Sequence, residues 1–296
     1  MNFSYRFDVQ DWLMRYAIAD IHGCCKTFHA LIEKLQIKGS DHLYLLGDYI
    51  DRGPDSKGVL DTIMNLGCKV AALMGNHEDM WLRASAKMGD PVLCDANINV
   101  WMENGGQATL KSFTGIDTKP YLAFLRDLPL FLELDDFFLV HAELDFSLPD
   151  PFGKAGIDSM LWGRGKPYHG KRPVLCGHSP LPLEQIQAGL QTNKINIDNG
   201  CCYVNRIGCH NLLAYGLDDG QLYIQQNIED PCLAIYFRER LLARLALKNG
   251  NMIMKEDLSE DILQLIEELR GRETDSELFY ALPERLKRHY LWVIYE

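Results

Sequence analysis

Residues 42–53 read His42-Leu43-Tyr44-Leu45-Leu46-Gly47-Asp48-Tyr49-Ile50-Asp51-Arg52-Gly53: a mostly apolar run, a glycine, then two carboxylates and an arginine. A short apolar run closed by a turn residue predicts a strand buried in a sheet. One such strand end says little, but the pattern recurs along the first two hundred residues. The other strand ends are Asp20-Ile21-His22-Gly23, Gly75-Asn76-His77-Glu78, Val140-His141-Ala142, Gly177-His178-Ser179 and Ile197-Asp198-Asn199-Gly200. In open α/β sheets ligands bind beyond the carboxyl ends of the strands. Six polar strand ends therefore predict one site collected at one sheet edge.

The strands expected are 14–19, 42–46, 69–74, 137–140, 174–176 and 194–197. Helices fall between the first three. Phe28, Leu31, Ile32 and Leu35 recur at helical spacing, as do Val59, Leu60, Ile63 and Met64 behind Pro54 and Asp55. Strand–helix alternation of this kind predicts an α/β fold with a mostly parallel, doubly wound sheet. Residues 79–136 predict a helical insertion containing Trp81, Trp101 and Gly105-Gly106. A hairpin over 212–225 closes around Asp218-Asp219-Gly220. From about Glu229 the pattern changes: Ser259 opens an amphipathic helix, and Thr274 with Glu277 forms a capping box before another. The chain is thus expected to divide into a catalytic domain, 1–228, and a C-terminal helical extension, 229–296.

With 41 acidic against 30 basic residues the net charge is −11, which argues against a non-specific nucleic-acid binder. Nine cysteines, an odd number with no CxxC pair, predict free thiols in a reducing cytoplasm. No signal sequence stands out at the start. No run approaches the roughly 20 apolar residues that span a membrane. A cytoplasmic protein that works without nucleic acid or membrane is the expectation.

Asp20 and His22, two residues apart at a strand end, both reach one ion, and Asp48 is placed to bridge it to a second. Asn76, His141 and His178 complete the set. Carboxylate, amide and imidazole without thiolate suit two divalent transition-metal ions, Mn²⁺ first, with Fe or Zn²⁺ as alternatives. Two such ions sharing a hydroxide clamp both oxygens of an in-line displacement. His77 is placed to protonate the departing group, with Asp51 holding its ring. Arg52 and Arg164 match phosphate geometry. Asp198 is left as a structural hydrogen-bonding residue behind His178. Cys176 reads as a small buried hydrophobe.

These motifs resemble the phosphoprotein phosphatase family of serine/threonine phosphatases, within the metallophosphoesterase superfamily. Leu161-Trp162-Gly163-Arg164 resembles the family's second phosphate-binding arginine, and Asn104-Gly105-Gly106 with Thr109-Leu110 resembles its compact bacterial and phage members. The resemblance covers about residues 14–225. It implies a central β-sandwich flanked by helices rather than a single sheet. It also implies one metal on Asp20, His22 and Asp48 and the other on Asp48, Asn76, His141 and His178. The implied activity is hydrolysis of phosphoserine or phosphothreonine through a metal-bridging hydroxide, with a phosphorylated protein or a small phosphoester as substrate. The alternative is a symmetrical diadenosine tetraphosphatase, a branch that usually lacks the second Asp of the middle motif, kept here as Asp51. Two local departures are Ala19, where the family has Gly, and Glu143, where Gly usually follows His141-Ala142. Glu143 is expected to add a carboxylate beside the second metal.

Overall fold

The computed structural model describes residues 13–85, 95–203 and 206–229. Strand β1 (Arg15–Ile18) leads into α1 (Cys25–Leu35), β2 (His42–Leu45), α2 (Ser56–Asn65) and β3 (Lys69–Ala72). Four helices follow: α3 (Asn76–Ser85), α4 (Asp95–Glu103), α5 (Gly106–Ser112) and α6 (Lys119–Arg126). Then come β4 (Phe131–Glu133), β5 (Phe138–Val140), α7 (Ile157–Trp162), β6 (Val174–Cys176), α8 (Leu183–Gly189), β7 (Lys194–Asn196), β8 (Asn211–Gly216) and β9 (Leu222–Gln226).

The strands form two sheets, ordered β3-β2-β1-β8-β9 and β4-β5-β6-β7. Strands β1 to β3 run parallel, as do β5 to β7, while β4, β8 and β9 pair antiparallel. The sandwich is the one the family resemblance implies, in place of the single doubly wound sheet expected from strand–helix alternation. The reason lies in the period-two geometry of a strand. Tyr16, Ile18, Leu43 and Leu45 pack with Phe28, Leu31, Val59 and Leu60 on the helical side. The alternate residues Ala17, Ala19, Tyr44 and Leu46 pack with Phe137, Leu139, Leu175, Ile195 and Ile197 of the second sheet. Both faces are apolar, so a sequence reading finds buried strands without learning what buries each face.

Local chemistry sets the element ends. Asp55 caps α2, its carboxylate accepting from Gly58 N–H at 2.8 Å, a contact of about 1 kcal/mol. The insertion is no separate body: Trp81, Trp101, Phe113, Leu122 and Leu125 join the main core. Its expected end at residue 136 was too late, because Phe131–Glu133 pairs with β5 as a strand. Asn227, Ile228 and Glu229 close against the start of α1, with Glu229 Oε1 accepting from Thr27 N–H and Oγ1–H. Glu229 is therefore tied to the catalytic fold. The two helices expected beyond it lie outside the described residues.

Candidate metal centre

Strand ends β1, β2 and β3 enter the site edge through sharply turned backbone. Asp20, His22, Asp48, Asp51, Arg52 and His178 all have φ between 42° and 70°, the left-handed region that non-glycine residues rarely adopt. Gly47 (φ +98°) lets two of these motifs touch, since a Cβ there would stand 2.7 Å from Gly75 Cα. The buried carboxylate of Glu78 then fastens the turn, accepting from the N–H groups of Asp48 (2.9 Å), Tyr49 (2.8 Å) and Gly75 (3.0 Å). Three buried backbone donors are satisfied by one side chain, which the sequence motif contained but did not explain.

Asp48 sits between two clusters. In one, His22, Asp48 and His77 bring a ligand atom each to within 4.8 Å of one another, and in the other Asp48, His141 and His178 do so. Asp48 is the carboxylate common to both clusters. Asp20 belongs to neither cluster: both its oxygens accept from His178 N–H, at 3.1 and 3.0 Å.

The second cluster is built to receive a cation. His141 Nδ1–H donates to Leu46 O at 2.9 Å, which fixes its tautomer and turns the Nε2 lone pair inward. That lone pair faces Asn76 Oδ1 at 2.9 Å and His178 Nδ1 at 3.1 Å, and His178 Nδ1 lies 3.0 Å from Asn76 Oδ1. Burial pushes His141 down to about 3 and His178 to about 2, so both rings are neutral at pH 7. At most one proton is available among three converging acceptor atoms. Wherever it sits, polar atoms stay unmatched, and His178 Nε2 is already buried without a partner. A divalent ion resolves the conflict. In the first cluster His22 Nδ1–H donates to Ile50 O (3.0 Å), leaving Nε2 to accept from Arg52 Nη1 (2.5 Å) and to face Asp48 Oδ2 (3.5 Å).

His77 Nδ1 meets Asp51 Oδ2 at 2.7 Å, with both residues buried. Asp51 also accepts from Trp101 Nε1 (3.0 Å) and Thr109 Oγ1 (2.6 Å), so its orientation is set by the insertion. Burial raises the Asp51 carboxyl well above its ordinary range, and these donors oppose that rise. The part played by Trp101 and Thr109 was not read from sequence, because they lie 50 and 58 residues away. Arg52 stacks over Tyr203 at 5.3 Å. Arg164, exposed, donates Nη1–H to Ser179 Oγ at 2.9 Å beside His178.

Two further sequence expectations change. Asp198 does not support His178; its carboxylate accepts from Gly200 N–H at 2.7 Å and lies close enough to raise the Asp20 carboxyl. Glu143 does not face the histidine cluster: its Oε1 accepts from Lys166 N–H and Lys194 Nζ. Trp162 is 40% exposed and sets its edge against His178 (6.2 Å), whereas Trp81 and Trp101 are buried. The seven described cysteines are free thiols, and burial pushes Cys176 up to about 12.

Crowding of acids makes metal and proton rivals. Burial raises Asp48 and Asp198 to about 7 and Glu78 to about 8. Carboxyls raised in the folded state favour folding while protonated and lose that contribution as pH rises through these values. A divalent ion at Asp48 must displace its proton at pH 5.5 but not at pH 8. His141 and His178, neutral in the fold at both pH values, add no competition. Mn²⁺ should therefore raise the melting temperature about 3–5 °C more at pH 8 than at pH 5.5, read by calorimetry with and without chelator. An equal or larger shift at pH 5.5 would contradict a metal on these acids.

The chain belongs to the calcineurin-like phosphoesterase family, whose pattern it matches over residues 15–208. It is 34% identical over 130 residues to the symmetrical bis(5'-nucleosyl)-tetraphosphatase of Nitrosomonas europaea, a match covering 44% of each chain. Serine/threonine-protein phosphatase 1 of Salmonella typhimurium is 28% identical over 192 residues, covering 60% of this chain and 83% of that one. The chain thus spans under half the length of the Nitrosomonas relative. A solved structure described as a candidate diadenosine tetraphosphatase shares the fold, with TM-score 0.53, 21% identity and coverage of 74% and 95%. Among the described residues no helix is long and apolar enough to cross a membrane.

Proposed function

We propose that the chain cleaves dinucleoside polyphosphates symmetrically at this centre. This reverses the order given by the sequence motifs, which put phosphoserine and phosphothreonine first. The observation that carries the substrate class is the agreement with relatives named symmetrical bis(5'-nucleosyl)-tetraphosphatases, 34% identical over 130 residues in one and 45% over 73 in another.

Asp20, His22 and Asp48 would hold one divalent ion, Asp20 from outside the His22–Asp48–His77 cluster, and Asp48, Asn76, His141 and His178 would hold the other; Mn²⁺ is the ion proposed. The geometry favours this for the second ion most directly, through its unmatched lone pairs. Bound ions supply Lewis acidity and acidify the attacking water. The chain's own residues do the rest. Arg52 and Arg164 bind phosphate oxygens, and His77, oriented by Asp51, delivers a proton to the leaving oxygen.

A second reading, serine/threonine protein phosphatase, is favoured by the Asp51–His77 pair itself. A departing serine alkoxide needs a proton, whereas a departing nucleoside diphosphate leaves as a stable anion. An acid whose partner is itself held by two donors, Trp101 and Thr109, is more machinery than the anhydride requires. The Mn²⁺-reconstituted protein should hydrolyse diadenosine tetraphosphate to two ADP with kcat/KM at least about tenfold above a phosphoserine peptide, measured by product chromatography. Preference for the peptide would establish the second reading in place of the first.

A further inference from the structure

Arg164 is exposed and makes one side-chain hydrogen bond, to Ser179 Oγ. An arginine carries about 2 kcal/mol of rotamer entropy, so its aim depends on how firmly its backbone is held. The backbone after it is gripped on both sides. Lys166 N–H donates to Glu143 Oε1 at 2.7 Å, and Lys166 O accepts from Lys194 Nζ at 2.8 Å. Glu143 and Lys194 are themselves an ion pair, Glu143 being 2% exposed. Lys166 Nζ is drawn to Asp145 Oδ2 at 3.2 Å. On the other flank, Gly163 presses directly on the clamp: a Cβ there would stand 2.7 Å from Glu143 Cβ and 3.0 Å from Glu143 Oε2.

We propose that the Glu143–Lys194 pair is a positioning device that aims Arg164 at the substrate phosphate. The inference rests on the phosphate-binding role given to Arg164 and is independent of which phosphoester is the substrate. Glu143 lies just beyond a strand end that delivers His141, and Lys194 opens β7, so the clamp joins the arginine loop to the two strands flanking β6. It explains why a buried carboxylate is present three residues after β5 without facing the histidines. Removing either partner loosens the hold on the Lys166 backbone.

The test is a double-mutant cycle on the Mn²⁺-reconstituted full chain, reading kcat/KM for p-nitrophenyl phosphate and the inhibition constant of inorganic phosphate. Glu143→Gln is expected to lower kcat/KM and weaken phosphate inhibition about tenfold each, with Lys194→Met giving the same pattern. Lys194→Arg, which keeps the charge, should restore most of the loss seen in Lys194→Met. In an Arg164→Ala background Glu143→Gln should add less than about twofold, since the residue it aims is gone. A merely structural pair would instead give losses that add in full to those of Arg164→Ala, and that result overturns the proposal. So does an unchanged kcat/KM in folded Glu143→Gln beside an impaired Arg164→Ala. An unimpaired Arg164→Ala overturns the arginine's role and the clamp together. Should Glu143→Gln not fold, the cycle run with Lys194→Met decides by the same outcomes.

Discussion

Asp48→Asn, reconstituted with Mn²⁺, is expected to lose at least about three orders of magnitude in kcat and to retain one metal ion or fewer per chain. Asp48 is the one carboxylate common to the two ligand clusters. Its Oδ2 lies 3.5 Å from His22 Nε2 and its Oδ1 3.5 Å from His141 Nε2. An amide keeps the shape and one oxygen but removes the negative charge and one of the two donor atoms. The fold should survive, because Oδ1 also accepts from His77 N–H, a bond an amide oxygen can keep. Metal content by mass spectrometry, circular dichroism and turnover separate these effects. Full turnover in the mutant would refute the bridging assignment.

His77→Asn carries the second large effect, and the substrate should determine its size. If His77 is the acid, loss of its proton slows phosphoserine hydrolysis about 10²- to 10³-fold. Hydrolysis of diadenosine tetraphosphate, whose leaving group is already an acidic phosphate, should fall by about tenfold or less. Metal content should stay at the wild-type value. This point is sharp because His77 Nε2 lies 3.9 Å from Asp48 Oδ2, close enough to share the first cluster. Loss of one ion in the mutant would make His77 a ligand and leave the acid unassigned.

Much of the site was legible because its chemistry follows directly on strands in the chain. Asp20, His22, Asp48, Asp51, Asn76 and His77 each sit just past a buried run, and the parallel strands β1, β2 and β3 carry them to one edge. What stayed hidden depends on partners distant in sequence. Trp101 and Thr109 orient Asp51 from the insertion, and Asp20 meets His178 N–H across 158 residues. The division into two sheets is implied by the family resemblance and not by the strand pattern, for a related reason. Ala17, Ala19 and Leu46 look alike whether a helix or a second sheet covers them. Glu143 was misplaced because its position beside His141 says nothing of where Lys194 stands.

The left-handed backbone at Asp20, His22, Asp48, Asp51, Arg52 and His178 bears on attempts to copy this centre. Such conformations cost of order 1–3 kcal/mol each, and they persist only where surrounding structure overrules them. Grafting the same side chains onto regular strand ends of another scaffold would present them in different directions, however well the sequence matched. The transplantable unit is the bent main chain together with Glu78 and Gly47, which hold it, and the ligands are passengers on that shape.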